Sequence, residues 1–177
     1  MSTHIKILNR KDINSFDSPP KFHGEERKRF FYLPKAASQL VESFRTPANK
    51  VGFVLQYGYF RASNKFYIAQ RFHENDVIFV ANKLQLTPAI DFKKYTKATF
   101  ARHQEHILEQ FGFHKFDGSS KSALMEEAHS LCSKQIKPRL MFLSLVDFLR
   151  DNKIEIPKYN TFAEIITNAL RNFEKVL

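Results

Sequence analysis

Cysteine is almost missing from this chain. The single Cys132 allows no internal disulfide and no multi-cysteine zinc site, and it fits a reducing compartment. Five glycines and seven prolines among 177 residues exclude collagen-like, linker-like and Gly/Pro-rich low-complexity classes. Long apolar runs are lacking too. Val77-Ile-Phe-Val-Ala81, among the longest, is far too short to span a bilayer. The segment Met1-Ser-Thr-His-Ile-Lys-Ile-Leu-Asn-Arg10 has no apolar stretch followed by a small-residue cleavage site, so no secretory signal is expected. These absences lead to the expectation of a soluble, cytoplasmic protein without a membrane partner.

Acidic residues are the other shortage. Eighteen Asp and Glu face 28 Lys and Arg, giving a net charge of +10 and a pI near 9.7. Residues 1–50 hold 10 basic and 5 acidic side chains, residues 51–100 hold 7 and 3, and residues 101–177 hold 11 and 10. Nine of the ten excess charges therefore precede residue 101. That exceeds what solubility needs and points to a polyanionic partner met by the first part of the chain. The polyanion itself, whether RNA, DNA or an anionic surface, is left open by charge alone.

What the chain has in quantity is apolar and aromatic residues, 43% and 14%. They suffice for the core of one domain or two small ones. Their spacing is helical, and strand alternation is nearly absent, so the expected class is all-α, a multi-helix bundle. The expected helices are 10–16, 24–32, one from Pro34 to about Phe44, 47–61, 74–86, and one from Thr96 or Thr99 to Phe111, closed by a left-handed Gly112. Further helices are expected from Ser119 or Ser120, from Pro138 to about Asn152, and from a capping box at Thr161-Phe-Ala-Glu164 almost to Leu177. Residues 65–70 are ambiguous between extended and helical. Two helical modules in tandem are expected, 1–90 and 91–177, with the seam in the polar stretch Leu86–Tyr95. The connection 113–120 is a second candidate.

The best start signal is Arg45-Thr-Pro-Ala-Asn-Lys50. Thr46 can cap, Pro47 suits the first helical position, and the positive end of the helix dipole lies beside Arg45 and Lys50. Such a helix start favours phosphate, and Asn49 can bond a base edge or a phosphate oxygen. His103-Gln-Glu-His106 places two imidazoles on one helical face, but without the His-Glu-x-x-His spacing and without an evident third ligand, so no metal site is expected. The two histidines are instead expected on a polar face with Lys97 and Arg102, opposite Phe100 and Ile107. The aromatic group Phe53, Tyr57, Tyr59, Phe60, Phe66, Tyr67, Phe72 and Phe79 reads as core rather than as a base-stacking platform. No nucleophile elbow, Gly-rich phosphate loop or zinc-protease motif is present, so no catalytic residues and no cofactor are expected.

Several stretches resemble the N-terminal region of Tn-three family replicative transposases. They are Phe16-Asp-Ser-Pro-Pro20, Glu25-Glu-Arg-Lys-Arg-Phe-Phe31, Arg45-Thr-Pro-Ala-Asn-Lys-Val-Gly-Phe-Val-Leu-Gln-Tyr-Gly-Tyr-Phe60 and Phe72-His-Glu-Asn-Asp-Val77. Tyr95-Thr-Lys-Ala-Thr-Phe-Ala-Arg-His-Gln104, Ile107-Leu-Glu-Gln-Phe-Gly-Phe113, Phe148-Leu-Arg-Asp-Asn-Lys-Ile-Glu-Ile-Pro157 and Thr161-Phe-Ala-Glu-Ile-Ile166 extend the likeness over nearly the whole chain. The resemblance implies sequence-specific binding of double-stranded DNA at the terminal inverted repeats of a bacterial transposon. It also implies that the carboxylates of strand transfer belong to a later RNase-H-like domain outside these 177 residues, so no enzyme activity is expected of this chain. Its implied partners are the transposon ends, the rest of the transposase polypeptide and, in the full-length protein, a second copy. Under this reading the contacts expected are Arg45, Asn49 and Lys50 at one helix start, Lys94, Lys97, Arg102 and His103 near the junction, and Lys158, Asn160 and Arg171 by the last helix. A helical protein-interaction module and a general nucleic-acid binder stay open as alternatives.

Overall fold

The computed structural model describes residues 5–176. The fold is all-α, with nine α-helices among the described residues: α1 (Arg10–Asp17), α2 (Glu25–Phe30), α3 (Lys35–Ser43), α4 (Pro47–Ser63), α5 (Glu74–Lys83), α6 (Lys97–Phe111), α7 (Gly118–Ser133), α8 (Pro138–Asp151) and α9 (Tyr159–Val176). No described residue belongs to a strand; one isolated parallel bridge joins His114 and Ile154. No described helix is long and apolar enough to cross a membrane.

The described residues gather into two compact units. The middle unit is 18–111, and the terminal unit joins 5–17 to 112–176. The seam expected at Leu86–Tyr95 lies within the middle unit, where Phe92–Lys94 form a 3-10 turn and Tyr95 is buried against Gly52. The chain passes between units at Asp17–Ser18 and at Phe111–Gly112, the latter beside the second expected connection. Gly112 has φ 68°, the left-handed stop foreseen for α6.

In the middle unit α4 is the axle, packed by α2, α3, α5 and α6. Every residue from Val51 to Phe60 is buried, which is why this helix shows no clean apolar stripe. Two glycines let neighbours approach its backbone. A Cβ on Gly58 would lie 2.3 Å from the Phe31 ring and 3.0 Å from the Phe30 carbonyl oxygen, and one on Gly52 would lie 2.8 Å from the Tyr95 ring. The aromatic group expected as core is core: Phe53, Tyr57, Tyr59, Phe60 and Tyr67 are buried, and Phe66, Phe72 and Phe79 are half-buried.

Polar groups are buried with them, and they are paired. Asp76, 1% exposed, accepts Arg27 Nε–H at 2.8 Å on one carboxylate oxygen and the Tyr59 hydroxyl at 2.6 Å on the other. This ties α2, α4 and α5 through one carboxylate. Gln56 donates from Nε2 to the Tyr67 carbonyl and accepts the Tyr67 N–H on Oε1, at 2.6 and 3.3 Å. That side chain holds the ambiguous stretch 65–70 as extended backbone running into a 3-10 turn, Ala69–Arg71. Helix α5 ends three residues before expectation, at Lys83, because Gln85 turns left-handed at φ 59°.

The terminal unit is a bundle of α7, α8 and α9, with α1 against α9. Its core is mostly aliphatic: Leu124, Leu131, Met141, Leu145, Leu149, Ile165 and Ile166, with Phe142 and Phe162. Two starts differ from expectation. Helix α7 is capped by Asp117, whose carboxylate accepts the Ser120 N–H at 2.9 Å while Ser120 Oγ accepts the Asp117 N–H at 3.3 Å. Ser120 is thus the third residue of the capping box rather than the cap. Helix α9 begins two residues before Thr161, so no capping box forms there. Its first N–H, from Tyr159, is taken by Asp17 of α1 at 2.9 Å, a cap supplied from 142 positions away that local reading does not find.

Candidate nucleic-acid interface

The middle unit carries 15 basic and 8 acidic residues, net +7; the remainder of the chain carries 13 and 10, net +3. Several middle-unit cations are committed internally. Arg27 pairs with Asp76, and Lys65 is buried. Arg61 donates to the Arg29 and Phe30 carbonyls and Lys83 to that of Phe31, so the pair closes the C-terminal end of α2. Burial, then the nearby Arg61, holds the Lys83 ammonium below its ordinary pKa.

Three exposed cations, Arg45, Lys94 and Arg102, lie beside the start of α4. Thr46 Oγ1 accepts the Asn49 N–H at 3.1 Å, Pro47 brings no N–H, and the Lys50 N–H bonds the Thr46 carbonyl. The cap therefore takes the Asn49 and Lys50 donors, and the 17-residue helix also offers outward its positive dipole end. Two clefts flank it. One, of about 450 Å³, is lined by Arg45, Ala48, Gln85, Thr87, Asp91 and Lys94 among others. The other, of about 280 Å³, lies between α4 and α6 and is lined by Arg45, Asn49, Thr99, Arg102, His103 and His106 with Ser43 and Phe44.

Of the expected contact residues, Arg45, Lys94 and Arg102 are exposed at these clefts. Arg102 also donates to Thr99 Oγ1 at 3.2 Å, which orients the guanidinium over the second cleft. Asn49 is half-buried, and its Oδ1 is the buried side-chain oxygen left without a hydrogen-bond partner among the described residues. Such an atom costs about 1–3 kcal/mol unless something meets it. Lys50 is half-buried one turn into α4 and Lys97 opens α6, exposed; neither lines these two clefts. In the terminal unit Lys158 and Asn160 are exposed at the start of α9, and Arg171, 11 residues on, shares the Asn160 face.

His103 corrects the expectation of a polar face. It is 2% exposed, stacked on Phe44 at 4.7 Å and edge-on to Phe53 at 5.2 Å, with Nδ1 2.6 Å from the Tyr95 hydroxyl. Burial first, then His106 and Arg102, lowers its pKa to about 4, so the ring is neutral at physiological pH. The helical wheel misplaced it because Tyr95, arriving from a 3-10 turn, supplies a polar partner inside the core. Polar neighbours that sequence reading did not assign to the site, Ser43, Thr99, Gln85 and Thr87, enter the clefts and carry no charge to reveal them.

Among the described residues no three His, Cys, Asp or Glu side chains come together to hold a metal ion. Cys132 is buried, which raises its thiol pKa and leaves little thiolate.

The molecule is thus an all-helical protein with three exposed cations, Arg45, Lys94 and Arg102, lining the clefts beside one helix start. Comparison with known proteins places it further. The profile of the family described as "Domain of unknown function (DUF4158)" matches residues 7–169, and the chain belongs to that family. It is also 23% identical, over 150 residues, to the transposase for transposon Tn1546 of Enterococcus faecium. That alignment covers 84% of this chain and 15% of the relative, so the chain matches only a small part of that protein's length. The likeness is to a region of a transposase.

Proposed function

We propose that this chain binds double-stranded DNA at the terminal inverted repeats of a transposon, as a non-catalytic part of a replicative transposase. The observation that carries the reading is the convergence of Arg45, Lys94 and Arg102 on the clefts beside the α4 start, within the unit holding net +7. Cations spaced around a helix start are suited to successive backbone phosphates and fix register on a duplex. Lys50 and Lys97 extend the same basic region, and Lys158, Asn160 and Arg171 on the terminal unit add a second, more nearly neutral contact face. The similarity to a transposase of a bacterium supports a transposon end as the target and a bacterial cytoplasm as the setting.

The test is a binding titration of the 177-residue chain with a terminal-repeat duplex and with a scrambled one. Neutralising about six phosphates makes log affinity fall with log salt at a slope of about −5. The repeat should win by at least about tenfold, since each lost base contact costs about 1–3 kcal/mol. Equal affinity for both duplexes rejects site recognition and leaves a general nucleic-acid binder. No binding at low salt rejects the DNA reading and leaves the protein-interaction module.

A further inference from the structure

We infer that the cleft between α4 and α6 seats a single phosphodiester of the DNA backbone, with Arg45 and Arg102 as its charged arms and the Nε2–H of His103 as a neutral donor within it. This inference rests on the DNA reading above and gives one site in it a defined occupant.

The lining is rich in donors and holds no carboxylate. Arg45, Arg102, His103 and His106 bring donors, Ser43 and Thr99 bring hydroxyls, and Asn49 brings an amide whose Oδ1 is an unpaired acceptor. The start of α4 adds the positive end of its dipole. An anion entering here meets no like charge, whereas the neighbouring cleft contains Asp91.

His103 makes the site more than a basic patch. The Tyr95 hydroxyl approaches Nδ1 at 2.6 Å and has no other hydrogen-bond acceptor among the described residues, so its hydrogen goes to Nδ1. A neutral imidazole then carries its own hydrogen on Nε2. That nitrogen has no partner among the described residues and keeps solvent access, although the residue is 98% buried and lines the cleft. The ring cannot turn away, because Phe44 stacks on it and Phe53 meets its edge. Tyr95 is in turn fixed by packing on Gly52. The donor is therefore set before any ligand arrives, and Tyr95 is its positioning residue. A phosphodiester, singly charged with two unesterified oxygens, suits two guanidinium arms and one neutral N–H.

The experiment scans a duplex with a neutral methylphosphonate at one backbone position at a time. Wild type should lose about tenfold in affinity at one position of the contacted strand. Arg102→Gln should lose about tenfold on unmodified duplexes of any sequence, flatten the salt slope by about 0.9, and show no further loss when that one phosphate is neutral. Tyr95→Phe keeps the ring on Gly52 but removes the hydroxyl. It should shift the His103 ring-nitrogen resonances away from the Nε2–H tautomer and cost about threefold in affinity, with the fold intact by circular dichroism. The inference is overturned if Arg102→Gln leaves the slope unchanged while wild type binds, or if its loss multiplies with the methylphosphonate loss at every position. Absence of wild-type binding at low salt instead removes the DNA reading itself, and this site with it.

Discussion

The two units solve the same problem, burying helices against one another, with different materials. The middle unit surrounds α4 with aromatic rings and threads them with paired polar groups: Asp76 with Arg27 and Tyr59, Gln56 with the Tyr67 backbone, His103 with Tyr95. The terminal unit fills its centre with Leu, Ile, Met and Phe, and Ser120 of the α7 cap is its buried polar residue among those described. An aliphatic core accepts many arrangements of similar volume, while a buried hydrogen-bonded network accepts few. The unit with the costly, directional core is also the one whose surface gathers the cations. His103 of that network lines one cleft with Arg45, Asn49 and Arg102, and the proposed clamp on a DNA backbone would require such side chains to be held in place.

The sharpest way to break this contrast is to remove one partner from the network. Asp76→Ala leaves the Arg27 guanidinium and the Tyr59 hydroxyl without their acceptor. It should destabilise the middle unit by about 3–5 kcal/mol, read as faster hydrogen exchange of the α4 amides. Leu145→Met in the terminal unit, a swap of similar volume, should cost less than about 1.5 kcal/mol in its own amides. Similar costs for the two would end the distinction between the cores.

Acid should separate the units by sign. The His103 pKa is about 4 in the folded chain against 6.5 for an unperturbed imidazole. Between those values the unfolded chain binds more protons, so middle-unit stability is complete above about pH 7 and is lost as pH falls toward 4. The full loss is about 3 kcal/mol. Glu155 in the terminal unit behaves oppositely. Burial raises its carboxyl pKa above 4.5, against the smaller opposing effects of the Phe116 N–H and Lys115. The folded chain there holds the extra proton, so that contribution weakens as pH rises through the raised value. Hydrogen exchange at pH 7 and pH 5 should show α4 protection falling with acid, and His103→Gln should flatten that response. An unchanged slope in the variant would remove His103 as its source.

Much of this was readable in advance, and the failures share a cause. Most helix positions followed from spacing because most helices bury one face, α4 excepted, and Thr46, Pro47 and Gly112 did locally what their types predict. The contacts that went unread join different elements: Asp17 capping α9, Tyr95 turning His103 inward, Asp76 collecting Arg27 and Tyr59. A helical wheel assigns histidine outward by polarity and cannot register a partner arriving from another segment. For the candidate interface, charge counting found Arg45, Lys94 and Arg102, while the neutral residues that shape their clefts left no comparable mark.

Glycine offers a smaller test of how tightly each unit is built. Gly58→Ala drives a methyl into Phe31 and against the Phe30 carbonyl, and should cost about 2 kcal/mol even after about 1 kcal/mol returned as helix propensity. Gly118→Ala, at the first position of α7 with nothing within 4 Å, should be neutral or stabilising by up to about 1 kcal/mol. Urea titrations followed by hydrogen exchange in each unit compare them. A harmless Gly58→Ala would mean that α2 can move off α4, and the close packing claimed for the middle unit would fail.

The smallest effects concern DNA, and they carry the contrast to the surface. Arg45 lines both clefts beside the α4 start, so Arg45→Gln should lower duplex affinity about tenfold near 0.1 M salt, or about 1.4 kcal/mol. Arg171 lies on α9 in the part of the chain with net +3, where fewer neighbouring cations reinforce a phosphate contact. Arg171→Gln should therefore cost about twofold, or about 0.4 kcal/mol. Both residues are exposed, so neither change should disturb folding, and affinity differences report binding directly. Should Arg171→Gln prove the more damaging, the division of labour would be reversed: α9, with Asn160 and Arg171 on one face, would supply the main contacts and the basic clefts would be secondary.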